Sequence, residues 1–226
     1  MTAPVEGERP NGPRSRKGVE SRGRLLDAAK QIFEENGFLD ARISDIAERA
    51  GLSHGSFYHY FDSKEEVFRE VAAEVDERLS APLGSVMFDP SSHATPEERM
   101  HEAMRRYFDA YRAEARIMGV IEQVSRYDEE VGRLRRARHQ HYAGQIAESI
   151  RQLQRRGLAD PQLKPAVAAA ALGSMTSRFA ETWLVQGAVK TTVDEAAGQL
   201  ALLFLNALRL SGEAQPTAGR LHASEA

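Results

Sequence analysis

The sequence predicts an all-α protein, and three observations carry that prediction. Apolar residues recur at helical spacing along the 226-residue chain, with no alternating strand pattern. Helix-start and helix-stop signals bracket those periodic stretches. Residues 43–62, I-S-D-I-A-E-R-A-G-L-S-H-G-S-F-Y-H-Y-F-D, hold a short amphipathic helix, a glycine turn and a second capped helix. That order is how a helix-turn-helix unit is built.

Taken in order, Leu25, Leu26, Ala29, Ile32 and Phe33 define a first helix that Asn36-Gly37 stops. Ile43, Ile46, Ala47 and Ala50 give a short second helix ending at Gly51. Ser53 caps a third, whose Phe57 and Phe61 lie one turn apart on the inward face. Ser63-x-x-Glu66 is a capping box opening a fourth helix, with Val67, Phe68, Val71, Ala72 and Val75 inward and Pro82 and Gly84 as its stop. Residues 84–95 read as a loop. Thr95-Pro96-x-Glu98 then starts a fifth helix that buries Met100, Ala103, Met104, Tyr107, Phe108 and Tyr111. A shorter apolar segment around Ile117, Val120, Ile121 and Val124 follows. A long helix over about 128–156 ends at Gly157, and two more span roughly 165–185 and 193–210. The expected domains are a disordered basic arm (1–20), a three-helix DNA-binding head (21–66), a helical ligand-binding and dimerisation domain (67–212) and a disordered tail (213–226).

Composition removes several function classes. Hydrophobic content of 42% and charged content of 28% are ordinary for a globular chain. No cysteine occurs, which excludes disulfides, thiolate metal sites and cysteine nucleophiles. The first residues lack an apolar signal region, and uncharged runs such as 166–177 are too short to span a bilayer, so a cytoplasmic protein without membrane partners is expected. The net charge of −3 is unpromising for a nucleic-acid binder, but its distribution is not. From Arg9 to Arg24 six basic residues face one acid, Glu20, in a Pro/Gly/Ser-rich segment. By itself that composition fits a solvated tail as well as an arm that embraces phosphates. Beside a helix-turn-helix, the arm is favoured.

The last two helices differ from the others. One carries the small residues A-V-A-A-A-A-L-G-S, and the other, L-A-L-L-F-L, is apolar nearly all round. A helix apolar on every side must be covered on every side, so a homodimer is expected, with Ala170, Ser174, Leu200, Phe204 and Leu208 at its interface.

With Phe57 and Phe61 inward at 100° per residue, Gly55 and His59 project outward, flanked by His54 and Tyr58 on one side and Ser56 and Tyr60 on the other. Gly55 lets the backbone approach base edges. Ser56 suits a base or a phosphate, His59 can hydrogen-bond a base edge or stand as a solvated surface histidine, the two tyrosine hydroxyls suit phosphates, and Lys64 at a helix start can share a phosphate with free N–H groups. In the larger domain Met104, Tyr107, Phe108, Tyr111, Met118, Ile121, Tyr142, Ile146, Met175, Phe179 and Trp183 are the bulky candidates for a cavity taking an apolar or amphipathic effector. His139 and His141 point to nearly opposite sides of a helix and cannot chelate one ion. The arginines at 133, 135, 136 and 138 read as a solvated face. No catalytic motif, phosphate loop or cofactor fingerprint is present, so neither an enzyme nor a cofactor is expected.

The stretch from about 22 to 71 resembles the TetR family of transcriptional regulators. The matching elements are L-L-D-A-A-K-Q-I-F-E-E-N-G-F, I-S-D-I-A-E-R-A-G-L-S-H-G-S-F-Y-H-Y-F and D-S-K-E-E-V-F. The resemblance implies an all-helical homodimer with paired heads on double-stranded operator DNA, usually repressing until a small molecule binds the larger domain. It also implies DNA contacts at His54, Gly55, Ser56, Tyr58, His59, Tyr60 and Lys64. Before the second helix, where the family carries hydroxyl residues, this chain has Ala41 and Arg42. Arg42 then offers a charged phosphate contact, and Asp40 or Ser44 is left to supply the cap. The competing expectation is a helical small-molecule-binding or enzymatic protein whose head makes only protein contacts.

Overall fold

The computed structural model describes residues 16–87 and 94–210, with backbone alone for 81–87. The helices are α1 (Arg16–Asp40), α2 (Ile43–Arg49), α3 (His54–Phe57), α4 (Lys64–Met87), α5 (Pro96–Ala113), α6 (Ala115–Val124), α7 (Glu129–Arg155), α8 (Pro165–Ala180) and α9 (Val193–Leu208). A π-helical turn, Glu181–Val185, prolongs α8. No strand occurs among the described residues.

Capping chemistry fixes most boundaries. Thr95 and Thr192 each open a reciprocal box with the glutamate three residues on, at α5 and α9. Asp128 accepts from the Val131 N–H to start α7, which Gly157 ends in a left-handed conformation at φ 71°. Gly37, at φ 72°, breaks α1 where the sequence placed the stop.

Three boundaries differ from expectation. Helix α1 begins at Arg16, so residues 16–20 of the expected disordered arm are helical; Arg9 and Arg14 lie outside the described residues. Helix α4 passes through Pro82 and runs to Met87, taking in the start of the expected loop. One missing N–H removes a single bond from a helix already anchored by buried Val67, Phe68, Val71, Val75 and Leu79, and the helix continues. Helix α3 is four residues long and gives way to a tight turn.

The head packs α1 against α2 and α4, while α1 reaches the larger domain through α6. In that domain α5 lies between α4 and α9, and α7 pairs with α8. The packing corrects three interface assignments. Leu200, Phe204 and Leu208 are buried within the protomer, on the face that α9 turns to α5. The apolar residues α9 leaves outside are Leu202 and Leu203, at 49% and 50% exposure. Helix α9 is thus apolar on both sides, one covered by α5 within the protomer and the other exposed.

An ion-pair network joins head to body. Glu114, preceding α6, binds Lys30 of α1 at 3.0 Å and Arg78 of α4 at 3.0 Å. Burial lowers the Lys30 pKa, but hydrogen bonds to Glu34 and Glu114 outweigh it and leave that pKa raised.

Candidate nucleic-acid interface and ligand cavity

The head interface begins at the turn after α2. Leu52 N–H bonds the Ala47 carbonyl at 2.9 Å and Gly51 N–H bonds Glu48 at 2.9 Å, a Schellman closure with Gly51 at φ 67°. Ser53 Oγ accepts from Ser56 N–H at 3.2 Å and starts α3. Phe57 and Phe61 are fully buried, their ring centroids 5.7 Å apart, and each contributes about 1.5–3 kcal/mol by burial. They pin the element to the core. After Phe57 the backbone tightens, with His59 N–H on Ser56 and Tyr60 N–H on Phe57.

His54, Gly55, Tyr58 and His59 are exposed together, as the sequence placed them. A Cβ on Gly55 would meet nothing within 4 Å. The His54 and Tyr58 rings touch edge to face, with centroids 5.4 Å apart. Ser56 and Tyr60 are half-buried; the Ser56 hydroxyl lies 2.7 Å from that of Ser53, and the Tyr60 ring packs on the core. Arg42 is exposed beside α2 and Ser44 is exposed on its first turn. Neither Asp40 nor Ser44 caps α2: its N-cap is Arg42, without a side-chain bond, and the Ser44 hydroxyl donates to Asp45.

Lys64 departs from its expected role. Its ammonium donates to the carbonyls of Phe38, Leu39 and Ala41 at 2.7, 3.1 and 2.9 Å and lies 4.7 Å from the Phe38 ring centre. All three ammonium donors are used, so Lys64 ties α4 to the end of α1 instead of offering a proton to phosphate. Arg22 is likewise committed, to Glu70 and to the face of Phe61.

The larger domain holds a partly open cavity of about 990 Å³ between α4, α5, α6, α7, α8 and α9. Of the residues expected there, Met104, Tyr107, Tyr111, Met118, Tyr142 and Ile146 line it. Phe108, Phe179 and Trp183 form an aromatic cluster with centroids 5.5–5.9 Å apart and, like Ile121 and Met175, are absent from the lining. Ala170 and Ser174 are exposed on α8 and also border the cavity, as does Phe204.

The polar end of the cavity went unrecognised in the sequence. Asp76 from α4, Glu122 from α6, and Arg135 and His139 from α7 meet there with Tyr107 and Tyr111. Arg135 corrects the solvated-face expectation: its side chain is 12% exposed and binds Glu122 at 2.7 Å. Arg138 bonds the Ala73 carbonyl of α4. Burial pushes the Asp76 pKa up, only partly offset by Arg135, His139 and Arg138. Burial and then the Arg135 charge push His139 down, and burial pushes both tyrosines up. Polar residues at 122, 135 and 139 look solvent-facing in a linear pattern, and only the tertiary fold turns them inward.

Residues 25–71 match the family described as "Bacterial regulatory proteins, tetR family". The head of this chain thus matches the TetR family of transcriptional regulators. The Bacillus subtilis protein YdgC, described as an uncharacterised HTH-type transcriptional regulator, is 44% identical over 73 residues, 32% of this chain and 37% of YdgC. The alignment thus spans little more than a third of that relative. The Escherichia coli HTH-type transcriptional regulator UidR is 26% identical over 160 residues, 69% of this chain and 78% of its own length. Among solved structures, Salmonella enterica GusR superposes with a TM-score of 0.71 at 19% identity, covering 87% of this chain and all of that one (100%), which shows the shared fold. The matched region is the helix-turn-helix head. No helix among the described residues is long and apolar enough to cross a membrane.

Proposed function

We propose that this chain is a homodimeric, cytoplasmic regulator that represses from a two-fold operator and is released when a small effector fills the cavity of the larger domain. Its role is regulatory and not catalytic. The observation that carries this reading is the dual attachment of α4. At its first residue Lys64 grips the carbonyls at the end of α1, and further along Asp76, Glu77, Leu79 and Ser80 form cavity wall. Lys64 and Asp76 are separated by about 18 Å along the helix axis. A ligand that moves the wall moves the head. The expected domain division, 21–66 and 67–212, is kept as a functional one, with α4 crossing it.

Within the head, His54, Gly55, Tyr58 and His59 read the groove while Arg42, Ser44, Ser56 and Tyr60 contact the backbone. Residues 1–15 with Arg16 and Lys17 serve as the arm. Selection from randomised duplexes tests the core of this proposal. Wild type should enrich a palindromic site, and His59→Ala should relax one position per half-site, costing about 1–3 kcal/mol there. Recovery of no common sequence would refute operator recognition and favour a head that makes protein contacts.

A further inference from the structure

Resting on the effector reading above, we propose that the cavity takes a ligand with an apolar body and a protonated amine seated against Asp76. Asp76 is 7% exposed, lines the cavity, and its carboxylate makes no hydrogen bond or ion pair among the described residues. Every other carboxylate on the lining is engaged. Glu122 holds Arg135 at 2.7 Å, Glu181 holds Arg178 at 2.8 Å, and Glu77 accepts from the Tyr142 hydroxyl at 2.9 Å. The remaining lining cation, Arg138, is spent on the Ala73 carbonyl. His139 is held toward its neutral form by burial and by Arg135.

The lining therefore carries four carboxylates, Asp76, Glu77, Glu122 and Glu181, against three guanidiniums, Arg135, Arg138 and Arg178. One negative charge is in excess on the lining, and Asp76 is its carboxylate without a partner among the described residues. A carboxylate ligand would add a second uncompensated anion to a partly buried site, which is electrostatically penalised. An ammonium neutralises the excess and supplies the missing donor. Burial raises the Asp76 pKa, the direction expected of a carboxylate without full compensation. Met104, Met118, Leu134, Ile146 and Phe204 provide the apolar wall, and about 990 Å³ admits a drug-sized body. Asp76 lies on α4, so the charge contact falls on the helix that carries the head.

Three probes sharing one body test the assignment on the full-length protein: 1-pyrenemethylamine, 1-pyrenemethanol and 1-pyrenecarboxylate, titrated by pyrene fluorescence at neutral pH. The amine should bind roughly 10–100-fold more tightly than the other two, the worth of one charge-assisted hydrogen bond. Asp76→Asn, its folding checked by circular dichroism, should reduce the amine to the affinity of the alcohol. If the alcohol or the carboxylate binds wild type as well as the amine does, the charge assignment is overturned while the cavity remains a binding site. If none of the three binds, the effector reading falls together with it.

Discussion

Lys64 shows how one side chain can mislead a sequence reading and still explain the molecule. A lysine at a helix start reads as a phosphate ligand, because N–H groups and ammonium converge there. Its real partners are three carbonyls, the farthest 26 residues away in the chain, and no local pattern announces them. Lys64→Met should therefore destabilise the fold by about 1–3 kcal/mol in denaturant unfolding, since the carbonyls lose their donors. An exposed phosphate-seeking lysine would give almost no change. Asp76 supplies a second expectation at this scale. Its folded pKa is raised by burial, so the folded state binds the extra proton more tightly than the unfolded chain does. The stabilisation is fully present below the ordinary aspartate pKa of 3.8 and is lost as pH rises through the raised value. Ligand-free Asp76→Asn should thus match or exceed wild type in thermal stability at pH 7, with the margin shrinking on acidification toward pH 4. A margin growing on acidification would mean that Asp76 is stabilised as a carboxylate. Apolar positions such as Phe57 and Phe61 were legible because periodicity reports burial; Asp76, Glu122 and Arg135 were not, because a charge in a helical pattern is solvated by default.

At the scale of the element, helix starts were the most legible features, since Thr95, Asp128 and Thr192 each use chemistry confined to a few consecutive residues. Proline as a stop was the weakest signal: Pro82 sits inside α4, whose flanking turns hold it helical. The reading element joins both lessons. Its capped start and its pinning phenylalanines were visible, but its shortness was not, and uniform 100° spacing does not survive past Phe57. Gly55 separates the folding and reading roles of this element. It sits in a helical turn with open space where a Cβ would stand. Gly55→Ala should leave stability unchanged or raise it by up to about 1 kcal/mol, because alanine is the better helix former. In the proposed interface the same methyl group would stand between the backbone and the base edges, so affinity for the selected operator should fall. Thermal unfolding and fluorescence anisotropy on one preparation measure both, and unchanged DNA affinity would remove Gly55 from the interface.

For the whole molecule, exposed apolar residues on α8 and α9 are where the proposed homodimer would pack its second copy. Val167 of α8 and Leu202 and Leu203 of α9 are at 64%, 49% and 50% exposure, with Ala170, Ala171 and Ser174 small and exposed alongside. Leu202→Glu with Leu203→Glu should give a folded monomer by light scattering, whereas Leu200→Glu should unfold the chain, since that residue is buried within the protomer. A stable dimer in the double variant would move the interface elsewhere. Dimerisation then sets the terms of control. In the proposed dimer the two heads would engage half-sites one helical turn or a multiple apart, so a pivot of each α4 would misalign the pair. The effector need only favour the misaligned state by about 1–3 kcal/mol to lower operator affinity roughly 5–150-fold. Linkage requires the reverse effect to be equal: saturating operator must weaken the effector by the same factor. Calorimetric titration of 1-pyrenemethylamine into the dimer, with and without the selected duplex, measures that factor on one side, and duplex titration with and without the amine measures it on the other. The two ratios should agree and exceed one. Equal amine affinities in the two titrations would show that filling the cavity leaves the spacing of the heads unchanged, and α4 would then be a strut between the domains and not a lever.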